Sequence, residues 1–273
     1  MKQWLLILGA LMASLTAQAA ERIITLGGDV TEIVYKLGAQ DSLVGRDSTS
    51  LHPVQATQLP DVGYMRTLNA EGVLSLRPTL LLASELSQPS IALSQIEKSG
   101  VKVVKITGKP ALEAIPVKIM TIADAVGKSG QGQQLVEQFN RSVAEISTTP
   151  INKKVVFIMS HGGVQPMAAG QNTAADSMIK AVVAQNAMDN FTSYRPLSQE
   201  GLISSQPDLI VLTEEGVKSL NGIENVWKLP GLALTPAGKN KALLVVDDVG
   251  MLSFSLGTPQ VMLQLREALE KSQ

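Results

Sequence analysis

Six short, strongly aliphatic runs punctuate the chain: RIITL from Arg22 to Leu26, TLLLA from Thr79 to Ala83, VKVVKI from Val101 to Ile106, KVVFIM from Lys154 to Met159, LIVLT from Leu209 to Thr213 and ALLVVD from Ala242 to Asp247. Each is too short for a stable helix and apolar on both faces. That is the pattern of strands in a parallel sheet covered on both sides. Longer stretches with apolar residues at helical spacing separate them, which predicts an α/β fold. After the first run, Gly27-Gly28 makes a turn. Asp29 is the expected N-cap, with Glu32 three residues on as in a capping box. Val30, Ile33, Val34 and Leu37 then form an apolar face that stops at Gly38.

The middle of the chain has a different rhythm. Ala111 to Val126 and Gly130 to Ser147 are predicted as consecutive helices parted near Gly127, the second with Leu135, Val136, Phe139, Val143 and Ile146 on one face. Eighteen helical residues span about 27 Å. The expected architecture is two Rossmann-like α/β lobes, 20–110 and 150–273, joined by a rigid helical connector over 111–149, with a ligand cleft between the lobes. One continuous domain with a long surface helix is the alternative. An internal repeat favours two lobes. LNAEGVLSLRPTLLLASE, from Leu68 to Glu85, and LSQEGLISSQPDLIVLTE, from Leu197 to Glu214, coincide at seven of eighteen positions. Each copy is a short helix, a proline-marked turn and a buried strand ending in a carboxylate. Two like lobes place a cleft at the carboxyl ends of their sheets.

The first nineteen residues have another character. Lys2 gives a positive start, Trp4 to Leu15 is an apolar run, and Ala17-Gln18-Ala19 is an A-x-A site. This predicts a signal peptide over 1–19. The run is too short to span a membrane. With no cysteine after the cut, the expected product is a free periplasmic protein rather than a lipid-anchored one.

Composition removes several classes of function. There are no cysteines and two histidines, His52 and His161, so Cys-ligated metal centres and clustered-histidine sites cannot be built. Lys plus Arg is 23 against 24 Asp plus Glu, which gives no field to draw nucleic acid. No phosphate-loop or dinucleotide glycine motif occurs.

The loop LPDVGYMR, Leu59 to Arg66, delivers Tyr64 with Arg66 two positions on. If the loop is extended, the two side chains point the same way. An arginine beside a phenol favours the phenolate, and a phenolate is a hard ligand for ferric iron, as in tyrosine-ligated haem. An ordinary surface tyrosine is the alternative. The second candidate, His161, follows the fourth run in Ser160-His161-Gly162-Gly163. It can face a phenolate across the cleft or be a plain loop histidine. Ser160 with His161 would be the start of a hydrolase site, without a G-x-S-x-G elbow to support it. His52 is assigned a structural role. Glu85 and Glu214, ending equivalent strands, offer one carboxylate per lobe to a two-fold partner; solvated loop charges are the alternative, and Glu215 or another nearby acid could serve in their place.

On RIITLGGDVTEIVYKLG, LPDVGYMRTLNAEGVLSLRPTLLL, FIMSHGGVQPMAAG and YRPLSQEGLISSQPDLIVLT, the chain resembles the periplasmic haem-binding proteins of bacterial haemin ABC importers. These belong to a larger group that also serves cobalamin and ferric siderophores. The G-Y-M-R segment with LNAEGVLSLRP is the part specific to the haem branch. The resemblance implies a carrier that is not an enzyme, with Tyr64 as iron ligand and Arg66 supporting its phenolate. It implies His161 as a second ligand in members that have one, and one haem or two stacked in the cleft. It further implies Glu85 and Glu214 as docking acids for an inner-membrane ABC permease dimer with its ATPase. The carrier itself is expected to be a monomer. Met65 and Met167 are candidate cleft-wall residues, with core filling the commoner role of a methionine, and Arg46, Arg66 and Arg195 are candidate partners for propionates, with surface solvation the commoner fate of each. The alternatives are a cobalamin or ferric-siderophore carrier of the same fold and, from another class, a secreted hydrolase.

Overall fold

The structure is a computed structural model describing residues 21–271; the predicted signal peptide over 1–19 lies outside the described residues. The first lobe is built on a parallel sheet of four strands: β1 Ile23–Leu26, β2 Leu43–Arg46, β3 Leu80–Ser84 and β4 Lys102–Ile106, in the order β2-β1-β3-β4. Helices α1 Gly28–Lys36, α2 Ala70–Ser75 and α3 Ser90–Lys98 connect them. The central pair, in register from Ile23↔Leu80 to Leu26↔Ala83, is wholly buried, as its aliphatic content requires.

The connector is two helices, α4 Ala114–Ala125 and α5 Ser129–Ala144, turned about Gly127 at φ 67°. They pack closely where Gly132 meets α4: a Cβ there would stand 2.5 Å from the Ala123 Cβ. The second helix stops at Ala144, short of the predicted Ser147.

The second lobe has β5 Lys154–Met159, β6 Met167–Ala169, β7 Gln185–Asn186, β8 Tyr194–Pro196, β9 Leu209–Thr213 and β10 Leu243–Val246. Its helices are α6 Ala174–Ala181, α7 Gln199–Ser205, α8 Glu214–Ser219, α9 Ile223–Val226, α10 Pro236–Asn240, α11 Asp248–Leu252 and α12 Thr258–Lys271. The strand order is β10-β9-β5-β6-β8, with β7 alongside β5. β10, β9 and β5 are parallel, whereas β6 and β8 add an antiparallel extension.

All six aliphatic runs are strands. The four strands that the pattern did not announce are short, and two carry Gly45 or Pro196. One apolar cluster runs through both lobes and the connector. It includes Ile23 and Leu80, Ile119 and Phe139, and Phe157 and Leu265. The lobes therefore share a core instead of hanging on a free linker.

The start of α1 differs from the expected capping box. Gly27, at φ 119°, occupies the N-cap and makes no side-chain cap bond. Asp29 instead meets Lys118 of α4 at 2.6 Å, and Glu32 accepts from the Ser255 side chain and the Leu256 amide. The start of α1 packs against both the connector and the second lobe, so Asp29 finds its partner on α4 and Glu32 in the second lobe. A Cβ on Gly28 would lie 2.7 Å from the Thr49 carbonyl oxygen and 3.1 Å from Val249 Cγ2, so only glycine fits.

Candidate functional site

The loop carrying Tyr64 is strapped to its own lobe. The Arg46 amide donates to Pro60 O and the Val62 amide to Arg46 O, at 3.0 and 2.9 Å. Arg46 Nη1 also pairs with Asp61 Oδ2 at 2.9 Å. Arg46 is thus buried in loop anchoring, not free for a propionate as expected. Gly63, at φ 92°, turns the chain before Tyr64. Tyr64 itself is extended and leads a single 3₁₀ turn, Met65–Thr67. The loop is therefore not extended through Arg66; the Thr67 amide closes the turn on the Tyr64 carbonyl at 2.9 Å. Tyr64 is 43% exposed, whereas Met65 is 8% exposed within the first lobe's core. The expectation of Met65 as a cleft wall is corrected: an apolar side chain between two polar neighbours turns inward. On the far side, the Gln88 amide donates to Met65 O and the Leu68 amide to Gln88 O, each at 2.8 Å, tying the segment to the turn after β3.

Arg66 is exposed, and its charge reaches Tyr194 on β8 of the other lobe. Burial pushes the Tyr194 phenol up to about 12, against the lowering effects of its Thr173 hydrogen bond and of Arg66.

His161 does not sit on a simple strand-end loop. β5 and β6 form an antiparallel hairpin, with Met159 opposite Met167, and His161 is at its tip. Gly162 and Gly163 have φ of 57° and 75°, and the Val164 amide donates to His161 O at 3.0 Å. Two successive positive φ values are the requirement of a type I′ turn. His161 is exposed, as is Val164 at 51%, an aliphatic residue that the sequence reading did not single out. Its signal was its position at the close of a Gly-Gly turn. Ser160 turns the other way: it is buried, and its Oγ lies 3.2 Å from Ser219 Oγ. The two residues of the hydrolase reading thus face apart.

Met167 is half-buried on β6, opposite Pro196. Arg195 is exposed on β8 with its guanidinium 5.1 Å from the Phe191 ring centroid. His52 crosses between lobes, its Nε2 3.4 Å from Asp247 Oδ1. Glu85 and Glu214 are both exposed, but their settings differ. Glu85 lies in a turn and accepts from the Gly108 amide at 3.3 Å, whereas Glu214 opens α8. The same repeat supplies a second pair that the sequence reading passed over. Glu71 and Glu200 are exposed first-turn residues of α2 and α7, behind the side-chain caps Asn69 and Ser198. Among the described residues, no group of three or more acids and histidines is placed to hold a metal ion unaided.

Two α/β lobes, one on a parallel sheet and one on a mixed sheet, joined by the helices α4 and α5, are the build of a cleft-type ligand-binding protein. The chain belongs to the periplasmic binding protein family, which it matches over residues 23–249. It is similar to the apo form of the periplasmic heme-binding protein RhuT from Roseiflexus sp. RS-1, at 36% identity and TM-score 0.87, covering 93% of this chain and 99% of that one. It is also similar to the heme-binding protein BhuT in complex with two hemes, at 34% identity and TM-score 0.84 over 92% and 98% of the two chains. A curated relative, the vitamin B12-binding protein of Yersinia pestis (strain Pestoides F), is 26% identical over 91% of each chain. Another is the uncharacterized ABC transporter substrate-binding lipoprotein YvrC of Bacillus subtilis (strain 168). It is 28% identical over 73% of this chain, which spans 65% of YvrC's length.

Proposed function

We propose that this protein binds ferric haem in the cleft and presents it to an inner-membrane ABC permease and its ATPase. What supports this reading is an exposed phenol, Tyr64, on a braced loop of one lobe, and an exposed imidazole, His161, on a hairpin tip of the other. Two axial donors from opposite lobes suit an iron whose equatorial positions a porphyrin already fills. Tyr64 is the iron ligand in this reading, and Arg66 beside it supplies positive charge. His161 ligates the same iron or that of a second haem. Burial of porphyrin surface supplies most of the affinity. The carrier performs no covalent chemistry and works as a monomer in the periplasm. In domain terms, 20–110 and 150–273 are the two lobes and 111–149 the connector.

The relatives that carry heme in their names, at 33–36% identity over nearly their whole length, support haem over cobalamin. A vitamin B12-binding relative at 26% identity keeps cobalamin as the second reading. For docking, one exposed acid on each lobe meets the permease dimer. The candidates are Glu85 with Glu214 and, more nearly equivalent between lobes, Glu71 with Glu200.

The test is ligand substitution. Tyr64→Ala is expected to lose at least about a hundredfold in ferric haem affinity, since a charge-bearing donor is gone, and to lose the tyrosinate charge-transfer band. His161→Ala is expected to weaken binding or shift the Soret band while keeping that band. Wild-type affinity and spectrum in Tyr64→Ala would refute the assignment.

A further inference from the structure

Lys118 lies on α4 and is fully buried, at 1% exposure. An ammonium has three N–H donors, and three acceptors surround this one. Asp29 Oδ2 is at 2.6 Å, Ser253 O at 2.5 Å and Phe254 O at 3.1 Å. The acceptors come from opposite lobes: Asp29 from α1, and the two carbonyls from the turn between α11 and α12 of the second lobe. Phe254 holds φ at 52° while buried, a left-handed conformation that a bulky residue keeps only when its surroundings impose it. That turn brings two successive carbonyls onto one cation. Beside it, Glu32 of α1 accepts from Ser255 and the Leu256 amide. A buried ion pair contributes little to stability compared with well-packed apolar residues, but its bonds are directional. This one is placed where α1, the connector and the second lobe meet.

We propose that Lys118 is a positioning residue that sets the separation of the two lobes, and so the width of the cleft, by tying Asp29 to the Ser253–Phe254 turn. This goes beyond the haem reading and holds whatever ligand the cleft takes. The chain has no cysteine, so nitroxide labels at exposed Gln95→Cys and Asn240→Cys report one distance between lobes. The test variant is Asp29→Asn with Lys118→Met, which removes both charges and leaves neither buried alone. Pulsed electron spin resonance on the unliganded full mature chain should give one narrow distribution for the parent. The double variant should give a distribution at least twice as wide. Lys118→Arg keeps the pair with a larger head and should lengthen the mean distance without broadening it; it serves as the test if the double variant does not fold. A purely structural role for Lys118 lowers the unfolding midpoint and leaves both distributions as in the parent. That result in either folded variant would overturn the proposal.

Discussion

Individual side chains at the lobe junction carry the clearest electrostatic consequences. Burial is the main cause that raises the Glu32 carboxyl above its usual 4.5, helped by Asp247 and Asp29 and opposed by hydrogen bonds from Ser255 and Leu256. A folded-state pKa above the unfolded one means that the native state holds its proton more tightly. Stability then falls as pH rises from about 4.5 through the folded value. Glu32→Gln removes that titration and can still accept one of the two hydrogen bonds. Urea unfolding should show the variant gaining on the parent as pH rises from about 4.5 to about 7. A constant difference across that range would contradict it. Asp176 has the opposite sign. Burial alone raises it, but Lys180, Asn186 and the Asn172 amide outweigh this and hold it below 3.8. Little of this was legible in the chain. Asp29 and Glu32 have the spacing of a capping box, and only the packing of α1 against the connector and the second lobe redirects them to Lys118 and Ser255. Tyr64 and His161 stand out in the sequence as candidates because each lies next to glycine in a chain poor in aromatics and histidine.

At the level of elements, uniformly aliphatic strands announced themselves, whereas short strands interrupted by polar residues, Gly45 or Pro196 did not. β5 and β9 are flanked by turn residues and read directly, whereas β6 and β8 have three residues each and exist by pairing with each other. The hairpin they extend is what holds His161 out from the lobe. Gly162 and Gly163 have open space around them, with no atom within 4 Å of an added Cβ. A side chain there meets only conformational strain. Gly163→Val, forcing a β-branched residue to φ 75°, should cost about 1–2 kcal/mol. Chemical denaturation measures that cost, and the effect of His161 on the haem spectrum should diminish while the Tyr64 signature stays. Unchanged stability together with an unchanged spectrum would mean that the tip geometry plays no part.

On the scale of the whole molecule, the repeat matters more than any single strand. It predicts two lobes of like construction, and the structure adds that they share one apolar cluster through α4 and α5. It also poses a choice between two carboxylate pairs. Equivalent positions suit a two-fold partner, and Glu71 and Glu200 occupy the same turn of matching helices. Charge reversal at Glu71 and Glu200 should reduce haem uptake by a reconstituted permease at least about tenfold with haem affinity retained, as when interface charge pairs are broken. The same reversal at Glu85 and Glu214 should do less. The opposite ranking would return docking to the strand-end pair. Above all of these stands the identity of the ligand. The most direct measurement is a titration of the purified mature chain with ferric haem, followed by absorption, with cyanocobalamin titrated in parallel. The expected result is a saturable Soret change with a tyrosinate charge-transfer band, an endpoint at one or two haems, and no tight cobalamin binding. Saturable cobalamin binding with no specific haem change would contradict it.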